Sequence, residues 1–396
     1  MRVEIAVLLL AACAAATTAV PVITASAATP ASAAQAPLLP DGPMGSKTLP
    51  ASWGKHWIWV NDLVFPHMTD GMAYLVDGYN GEYLGTLSTG ASFNRVLLPK
   101  SGDVMYSPET YFARGTRGQR TDVVTLYDRR KLSVLSEIII PPKRASNLPM
   151  MGDAALTDDD RFLLIYNFNP AQSITVVDTH NRSFVGEVET AGCALVYPTG
   201  PRSFFSICGD GGVLAIDLTD RGTVAKRTRT DPLFDVATDP VTEKGVRAGD
   251  TWYFASFNGD IYPVVKDPQG LTRGKRWSLT APAERAAGWR PGGLQHLAIH
   301  TARGELYSIM HQGNLSTHKD PGSAVYVYNL KTQTHVRTIA LKNLAGAIQV
   351  SSDEHPLLFS IFMDSSTLDV YDAVSGNHLR SVEHIGTTPA LLVSAP

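Results

Sequence analysis

The chain has 396 residues, 44% of them apolar, and is therefore long enough to bury a full hydrophobic core. It carries 34 basic and 37 acidic residues, a balance that favours neither nucleic acid nor an anionic membrane as a partner. Its 33 Gly and 25 Pro residues separate short apolar segments, which favours an all-β fold of short strands and tight turns.

The N-terminal segment has the pattern of an export signal. Arg2 precedes the apolar residues Ile5 to Ala16, and Ala25-Ser26-Ala27 offers a cleavage site, so residues 1–27 are predicted to be a secretory signal peptide. The apolar part is too short to span a membrane. Export to the periplasm is the expected localisation.

A second interpretation of the same segment is a lipoprotein signal. Leu10-Ala11-Ala12-Cys13 resembles the motif after which Cys13 would become the lipidated first residue. Residues 28–54 are rich in Ala and Pro and are predicted to form a flexible leader on either interpretation. No later segment is long and apolar enough to predict a membrane span.

One strand pattern recurs through the rest of the chain, in which an apolar strand ends in or near Asp or Asn and is followed by a polar turn and a second apolar strand. The seven copies are Ala73–Asp77, Val123–Asp128, Ile174–Asp178, Val213–Asp217, a degenerate Ile261–Val265, Val325–Asn329 and Leu368–Asp372. Their spacing of roughly 40 to 60 residues is typical of propeller blades with four antiparallel strands each.

The two ends of this repeat array complement each other. The first blade, beginning at Trp57-Ile58-Trp59-Val60, lacks an innermost strand, whereas Pro389–Val393 lacks a blade. Pairing the two would close the ring and remove its open sheet edges. Residues 55–396 are therefore predicted to form one seven-bladed β-propeller closed by the C-terminal strand. A two-sheet sandwich is the alternative, and seven similar units disfavour it.

A search for catalytic motifs assigns no catalytic, cofactor-binding or metal-binding residue to this chain. The sequence has no G-x-S-x-G elbow, Walker loop, dinucleotide fingerprint or H-E-x-x-H motif. His296 and His300 would share one face of a strand, but a third metal ligand is missing. Asp158-Asp159-Asp160 lacks the Gly and distal Glu of a calcium loop and is predicted to form a solvated hairpin turn.

Three arginines, Arg114, Arg117 and Arg120, lie close together immediately before the strand Val123–Asp128. Such a group can bind a carboxylate or an acidic partner. A solvated loop is the alternative, and the sequence does not decide between them.

Cys193 and Cys208 flank the turn sequence Tyr197–Arg202. If this turn joins two antiparallel strands symmetrically, Cys193 lies directly opposite Cys208. Opposite residues in a non-hydrogen-bonded pair approach to about 4.5 Å between Cα atoms, close to disulfide geometry. In an oxidising compartment the two cysteines are predicted to be bonded, the alternative being two free buried thiols.

In the order and spacing of several segments, the chain resembles the large subunits of amine dehydrogenases that depend on tryptophan tryptophylquinone. The matching segments are Arg117–Asp122, Pro141–Arg144, Arg202–Gly212, Gly288–Gly293, His318-Lys319, Tyr371–Gly376 and Leu379–Val382. They cover most of the chain after the leader.

The resemblance implies a seven-bladed propeller that acts as the large subunit of an α2β2 heterotetramer. It implies that the quinone is formed on the small subunit, so that this chain carries no cofactor. Small primary amines, methylamine or aromatic amines, would be converted to aldehyde and ammonia. The electrons would pass to an amicyanin- or azurin-like copper protein.

Two other functions remain as alternatives: a lactonase-like propeller enzyme, and a binding module without redox chemistry. A lactonase would need an acidic or metal-binding cluster at the channel mouth, which the sequence does not identify. Co-purification with a small, Cys-rich subunit would distinguish the amine dehydrogenase from both.

Phe93 lies in Thr89–Asn94, a predicted loop at a propeller face. A large apolar side chain there is expected to be poorly buried unless something covers it, and a partner subunit is one explanation. The resemblance implies that Phe93 borders the amine pocket beside the small subunit. The alternative is an aromatic side chain packed within its own blade.

Overall fold

The protein folds into short strands, as expected from the many turn residues. The structure, a computed structural model, describes residues 47–147 and 149–395. The predicted signal peptide, Cys13 and most of the predicted leader lie outside these residues. Residues 47–54 precede the first strand, and Leu49 among them is buried and donates its N–H to the carbonyl of Arg130 at 2.9 Å.

Strands account for most of the described chain. In chain order they are β1 Trp57–Asp62, β2 Met72–Asp77, β3 Tyr83–Ser88, β4 Val104–Arg114, β5 Arg117–Asp128, β6 Val134–Ile140, β7 Ala154–Leu156, β8 Phe162–Asn167, β9 Ser173–Asp178, β10 Ser183–Glu189, β11 Cys193–Gly200, β12 Ser203–Cys208, β13 Val213–Leu218, β14 Val224–Arg229, β15 Val246–Ala248, β16 Thr251–Ala255, β17 Asp260–Asp267, β18 Gly270–Arg273, β19 Trp277–Ser278, β20 Trp289–Pro291, β21 Leu297–His300, β22 Glu305–Gln312, β23 Gly322–Asn329, β24 Thr334–Ala345, β25 Ala347–Val350, β26 Leu357–Ile361, β27 Leu368–Asp372, β28 His378–Val382 and β29 Pro389–Ser394.

The helical segments of the described chain are short. They are the α-helix α1 at Pro282–Ala286 and the 3-10 turns Met151–Asp153 and Leu315–Thr317. None of these helices has the length and apolar character needed to cross a membrane.

The strands form seven antiparallel sheets, which are the seven predicted blades. Their strand orders, in chain order of the blades, are β29-β1-β2-β3, β4-β5-β6, β7-β8-β9-β10, β11-β12-β13-β14, β15-β16-β17-β18 with β19, β20-β22-β23-β24 with β21, and β25-β26-β27-β28. The second blade has three strands, and the bridge between Leu97 and Tyr106 takes the place of its inner strand.

The recurring pattern marks the third strand of every blade, namely β2, β5, β9, β13, β17, β23 and β27. In most copies, the Asp or Asn at the end of the strand accepts backbone N–H bonds from the turn that follows. These residues are Asp77, Asp128, Asp178, Asn329 and Asp372. In the degenerate fifth copy, β17 continues past Val265 to Asp267. The Oδ1 atom of Asp267 accepts the bond from the turn, from Gln269 N at 2.9 Å. The repeat therefore encodes a side-chain-stabilised turn.

Ring closure is confirmed. The C-terminal strand β29 pairs antiparallel with β1, so that Trp59 lies opposite Val393 and Val60 opposite Leu392. The side chain of Gln295 holds this strand from the sixth blade, since its Nε2 donates to Leu392 O and its Oε1 accepts from Leu392 N. The protein's last strand thus completes its first blade.

Candidate functional site

The topology gives the propeller two different faces. Connections that join the second strand of a blade to its third, and the fourth strand to the next blade, emerge together and include the long loops 63–71, 230–245 and 313–321. We call this side the loop face. The connections between successive strands on the opposite side are all short and form the turn face. Long loops on a rigid scaffold are where binding residues are usually found.

Exposed apolar side chains occur on the loop face, on the turn face and along the outer strands of the blades. Those on the loop face are Phe65, Tyr111, Phe168, Val236, Leu315 and Leu344, between 39% and 62% exposed. The turn face presents Tyr79 and Val374, and further exposed apolar side chains lie at the adjoining starts of the outer strands, namely Tyr83, Val134, Leu135, Phe184, Val336 and Leu379. A group of exposed apolar side chains on a face of a soluble protein is a candidate interaction surface.

Phe93 lies on a loop at a propeller face, as predicted, and its side chain is covered. Its side chain is 0% exposed and belongs to an apolar cluster with Leu63, Ala390 and Leu391. The chain itself covers Phe93, because the first blade's loop and the closing strand β29 meet there. This arrangement favours the alternative of packing within the propeller, and the role at an amine pocket stays a prediction.

The loop that carries Phe93 is held in place by the segment that follows β6. Phe93 N donates to Ser146 O at 2.9 Å, and Arg144 Nη2 donates to Phe93 O at 3.1 Å. Arg144 also bonds the side chain of Asn94. Gly90 has φ +78°, and a Cβ there would lie 2.9 Å from Thr110 O, so the turn into this loop requires glycine.

Beneath the loop lies a group of buried charges. Asp153 faces Arg95 at 3.4 Å, and both side chains are about 7% exposed. Burial raises the pKa of Asp153 to about 6, although Arg95 and Arg144 oppose the shift. Burial also lowers the pKa of both arginines. Buried charges this closely paired fix the conformation of the loop, since moving either partner would leave the other uncompensated.

A cavity of about 220 Å³ occupies the centre of the ring next to Phe93, and Met151 and Leu294 belong both to its lining and to the packing around Phe93. Lys244 also lines it and donates to Gly293 O at 2.7 Å. Burial lowers the pKa of Lys244 to about 8. The nearby carboxylate of Glu243 opposes this shift.

The two histidines singled out from the sequence are not brought together with further ligands. His296 is buried, with its Nε2 3.1 Å from Thr242 Oγ1, whereas His300 Nε2 lies 2.9 Å from Asp353 O at the other end of the strand. Four residues of strand separate them by roughly 13 Å. Across residues 47–147 and 149–395, no three His, Cys, Asp or Glu side chains are grouped as metal ligands.

The acidic triplet forms the turn before β8, as predicted, and its carboxylates bind arginines. Arg247 makes two bonds to Asp158, at 2.6 and 3.0 Å, and Arg202 bonds Asp159. Both aspartate side chains stay about one-third exposed, so the turn is solvated as well as ion-paired.

The predicted disulfide is present. Cys193 pairs with Cys208 across β11 and β12 and is bonded to it. Beyond Ala194 the register shifts, with Leu195 at φ +64°, so the symmetric pairing assumed from the sequence holds only at the cysteine end. Arg229 Nη1 lies 3.1 Å from both sulfur atoms.

The structure also identifies residues that the sequence did not. Lys244, Asp153 and Arg95 stand in no recognisable motif. Arg144 belongs only to the segment Pro141–Arg144, which contributes to the family resemblance. Each matters because of contacts between different blades, which no local pattern encodes.

Comparison with known proteins places this propeller in a defined group. The family model described as methylamine dehydrogenase heavy chain matches residues 55–396. The methylamine dehydrogenase heavy chain of Methylophilus methylotrophus is 29% identical over 350 residues, covering 87% of this chain and 85% of that protein. The heavy chain of Paracoccus versutus is also 29% identical, covering 81% and 75%.

Solved structures show the same fold at low sequence identity. A protein of unknown function from Desulfotomaculum acetoxidans superposes with a TM-score of 0.60 at 13% identity, covering 86% of this chain and 98% of that one. A dihydro-heme d1 dehydrogenase gives 0.52 at 14% identity, covering 89% and 78%. At these identities the likeness concerns the fold alone.

Proposed function

We propose that this chain, which belongs to the methylamine dehydrogenase heavy chain family, is the large subunit of a periplasmic amine dehydrogenase that converts small primary amines to aldehyde and ammonia. The observation that carries the proposal is the family match, which extends over residues 55–396 and thus over all seven blades. The family's name implies a light chain as partner. The apolar side chains of the loop face supply a surface on which such a partner would dock.

In this proposal the redox group is a tryptophan tryptophylquinone on the small subunit, which takes two electrons from each amine and passes them to a copper protein. The large subunit positions that subunit and shapes the path of the amine. Two large and two small subunits form the heterotetramer.

The region around Phe93 fits this shaping role. Arg144 and Ser146 hold its backbone from a different blade, so the loop is pre-organised before any partner binds. In this proposal the amine reaches the quinone along the loop face, where Phe93 lies.

The test compares the chain alone with the chain coexpressed with a small subunit and its maturation proteins. The chain alone is expected to show no amine-dependent dye reduction and no quinone absorbance, and the coexpressed complex is expected to show both with methylamine. Activity of the isolated chain would overturn the proposed division of labour. A complex that forms but oxidises no primary amine would overturn the proposed reaction.

A further inference from the structure

One hairpin extends well beyond its blade. Strands β4 and β5 have 11 and 12 residues, and they pair with each other out to Arg114 and Arg117. The outermost strand of this blade, β6, ends where Ile140 pairs with Asp122. Residues 111–121 therefore form a two-stranded ribbon, which we call the arm. Five residues from Asp122 to the tip correspond to roughly 16 Å of projection from the loop face.

The base of the arm is rigid. Arg120 binds Asp122 through two bonds, at 2.8 and 2.7 Å, and donates a third to Arg144 O at 2.8 Å. Thr110 Oγ1 donates to Asp122 Oδ1 and accepts from Arg144 Nε. Arg144 is also the residue that holds Phe93, so the arm and the Phe93 loop share one anchor.

The tip of the arm is positively charged and unpaired within the described chain. Residues 110–121 contain three arginines and no acidic residue. Arg120 is neutralised by Asp122, whereas Arg114 and Arg117 are exposed and make no ion pair among the residues that the structure describes. These two face each other directly across the ribbon, an arrangement of like charges that destabilises a strand pair.

A groove lies at the base of the arm. It has a volume of about 420 Å³ and is lined by Arg120, Arg144, Ser146 and Phe168, among others. Phe168 is 55% exposed. An isolated two-stranded ribbon is at best marginally stable in water, so an arm with like charges at its tip gains most from a partner that binds both tip and groove.

We propose that the arm is a docking element for the small subunit, whose carboxylates bind Arg114 and Arg117 while an apolar side chain of the same segment enters the groove beside Phe168. The inference rests on the proposed function. Guanidinium groups bind carboxylates in a bidentate manner, so carboxylates of the partner relieve the repulsion across the tip. Docking there places the partner on the same anchor that positions Phe93.

The experiment measures binding of the purified small subunit to the large chain and to two charge-reversed variants. One carries Arg114→Glu and Arg117→Glu in the arm. The matched control carries Arg221→Glu and Lys331→Glu, exposed basic residues in turns of the turn face. Thermal melting of each variant alone verifies folding, and the milder pair Arg114→Gln and Arg117→Gln serves if the Glu variant is unstable.

We expect the Kd of the arm variant to rise by about tenfold or more, whereas the control binds like the parent. Added salt should weaken binding of the parent chain and affect the arm variant less, because exposed ion pairs are screened. At saturating small subunit, kcat with methylamine should be unchanged. Equal Kd values for parent and arm variant would overturn the docking role alone. Failure of the parent chain to bind the small subunit would overturn the proposed function as well.

Discussion

At the scale of single residues, the region around the proposed amine path is defined by contacts to backbone atoms. Arg144 bonds the carbonyl of Phe93 from 51 positions away, and the Phe93 side chain fills space between a loop and the closing strand. Phe93 is therefore a packing residue whatever its role towards a substrate. Its replacement should change both stability and pocket shape.

We predict that Phe93→Ala destabilises the chain by about 3 to 5 kcal/mol, the usual cost of truncating a buried Phe. It should also change the ranking of kcat/KM for methylamine, longer alkylamines and aromatic amines, because apolar pocket shape discriminates by about 1 to 3 kcal/mol. Both are measured on the assembled enzyme. Phe162→Ala, a buried Phe on β8 beside the turn face, is the control that should lose stability without changing the ranking. An unchanged ranking in the Phe93 variant would refute its role at the pocket.

A second residue-scale prediction concerns Glu305 on the sixth blade, which accepts bonds from Arg337, Arg303 and Tyr307. Burial alone would raise the pKa of Glu305, but these bonds outweigh it and lower the pKa from 4.5 to about 2. A carboxyl group whose pKa is lower in the folded than in the unfolded protein stabilises the fold at pH values above its unfolded pKa. This stabilisation is lost as the pH falls towards the folded pKa. The stabilisation should therefore be complete above about pH 5 and decline between pH 4.5 and 2.

Glu305→Gln is expected to lower the free energy of unfolding at pH 7 by about 2 kcal/mol, since it weakens bonds from charged donors. At pH 3 the gap between variant and parent should be smaller. Denaturant unfolding at both pH values measures it, with the exposed Glu383→Gln as a control that should have no effect at either. If the difference in free energy of unfolding between Glu305→Gln and the parent stays constant with pH, the lowered pKa of Glu305 is contradicted.

At the scale of elements, each blade is a meander whose inner strands carry the packing and whose loops carry the interactions. The disulfide joins the two inner strands of the fourth blade at their loop-face end. Its sequence separation is 15 residues, so it closes a short hairpin. The arm belongs to this scale as well, because lengthening two strands of one blade projects charge beyond the ring without disturbing its core.

We predict that reducing the Cys193–Cys208 bond costs about 3 kcal/mol of stability, the value that loop-closure entropy gives for a loop of this size. Denaturant unfolding with and without dithiothreitol should show this loss in the parent chain. The double variant Cys193→Ala and Cys208→Ala should be insensitive to the reductant. If the parent is equally insensitive although peptide mapping proves the bond reduced, the bond does not stabilise this hairpin.

At the scale of the whole molecule, stability depends on closing the ring. Strand β29 buries Ala390, Leu391 and Leu392 and removes the free edge of β1. Contacts outside the sheet reinforce this pairing, since Asp62 accepts from the N–H groups of Thr387 and Thr388, and Arg380 donates to Gly78 O.

Deleting residues 389–396 should lower the free energy of unfolding by at least about 5 kcal/mol, because several apolar side chains lose their burial and β1 gains an open edge. Thermal melting measures the effect. Deleting only residues 395–396, which follow β29, is the control and should leave the melting temperature unchanged. An equally stable chain without β29 would disprove closure by this strand as the source of stability.

Much of the fold could be predicted because its determinants are local. The third strand of each blade is recognisable from its apolar residues and terminal Asp or Asn, since these side chains bond the turn that follows them. The Cys193–Cys208 pair follows from a hairpin, in which partners lie close in sequence. Ring closure follows from counting strands, because an unpaired edge at each end of the chain has one natural partner.

The candidate site depended on contacts that the sequence does not record. The sequence placed Phe93 on a loop, but its burial was decided by β29, which is nearly 300 residues away in the chain. The clamp by Arg144 and the position of Lys244 likewise depend on how neighbouring blades pack. The sequence by itself determined the blades, because hydrogen bonding within most blades is local, and their closure, because counting strands leaves one unpaired edge at each end of the repeat array. Only the tertiary structure decided which loop residues are core and which arginines stay unpaired, because side chains from separate blades meet there.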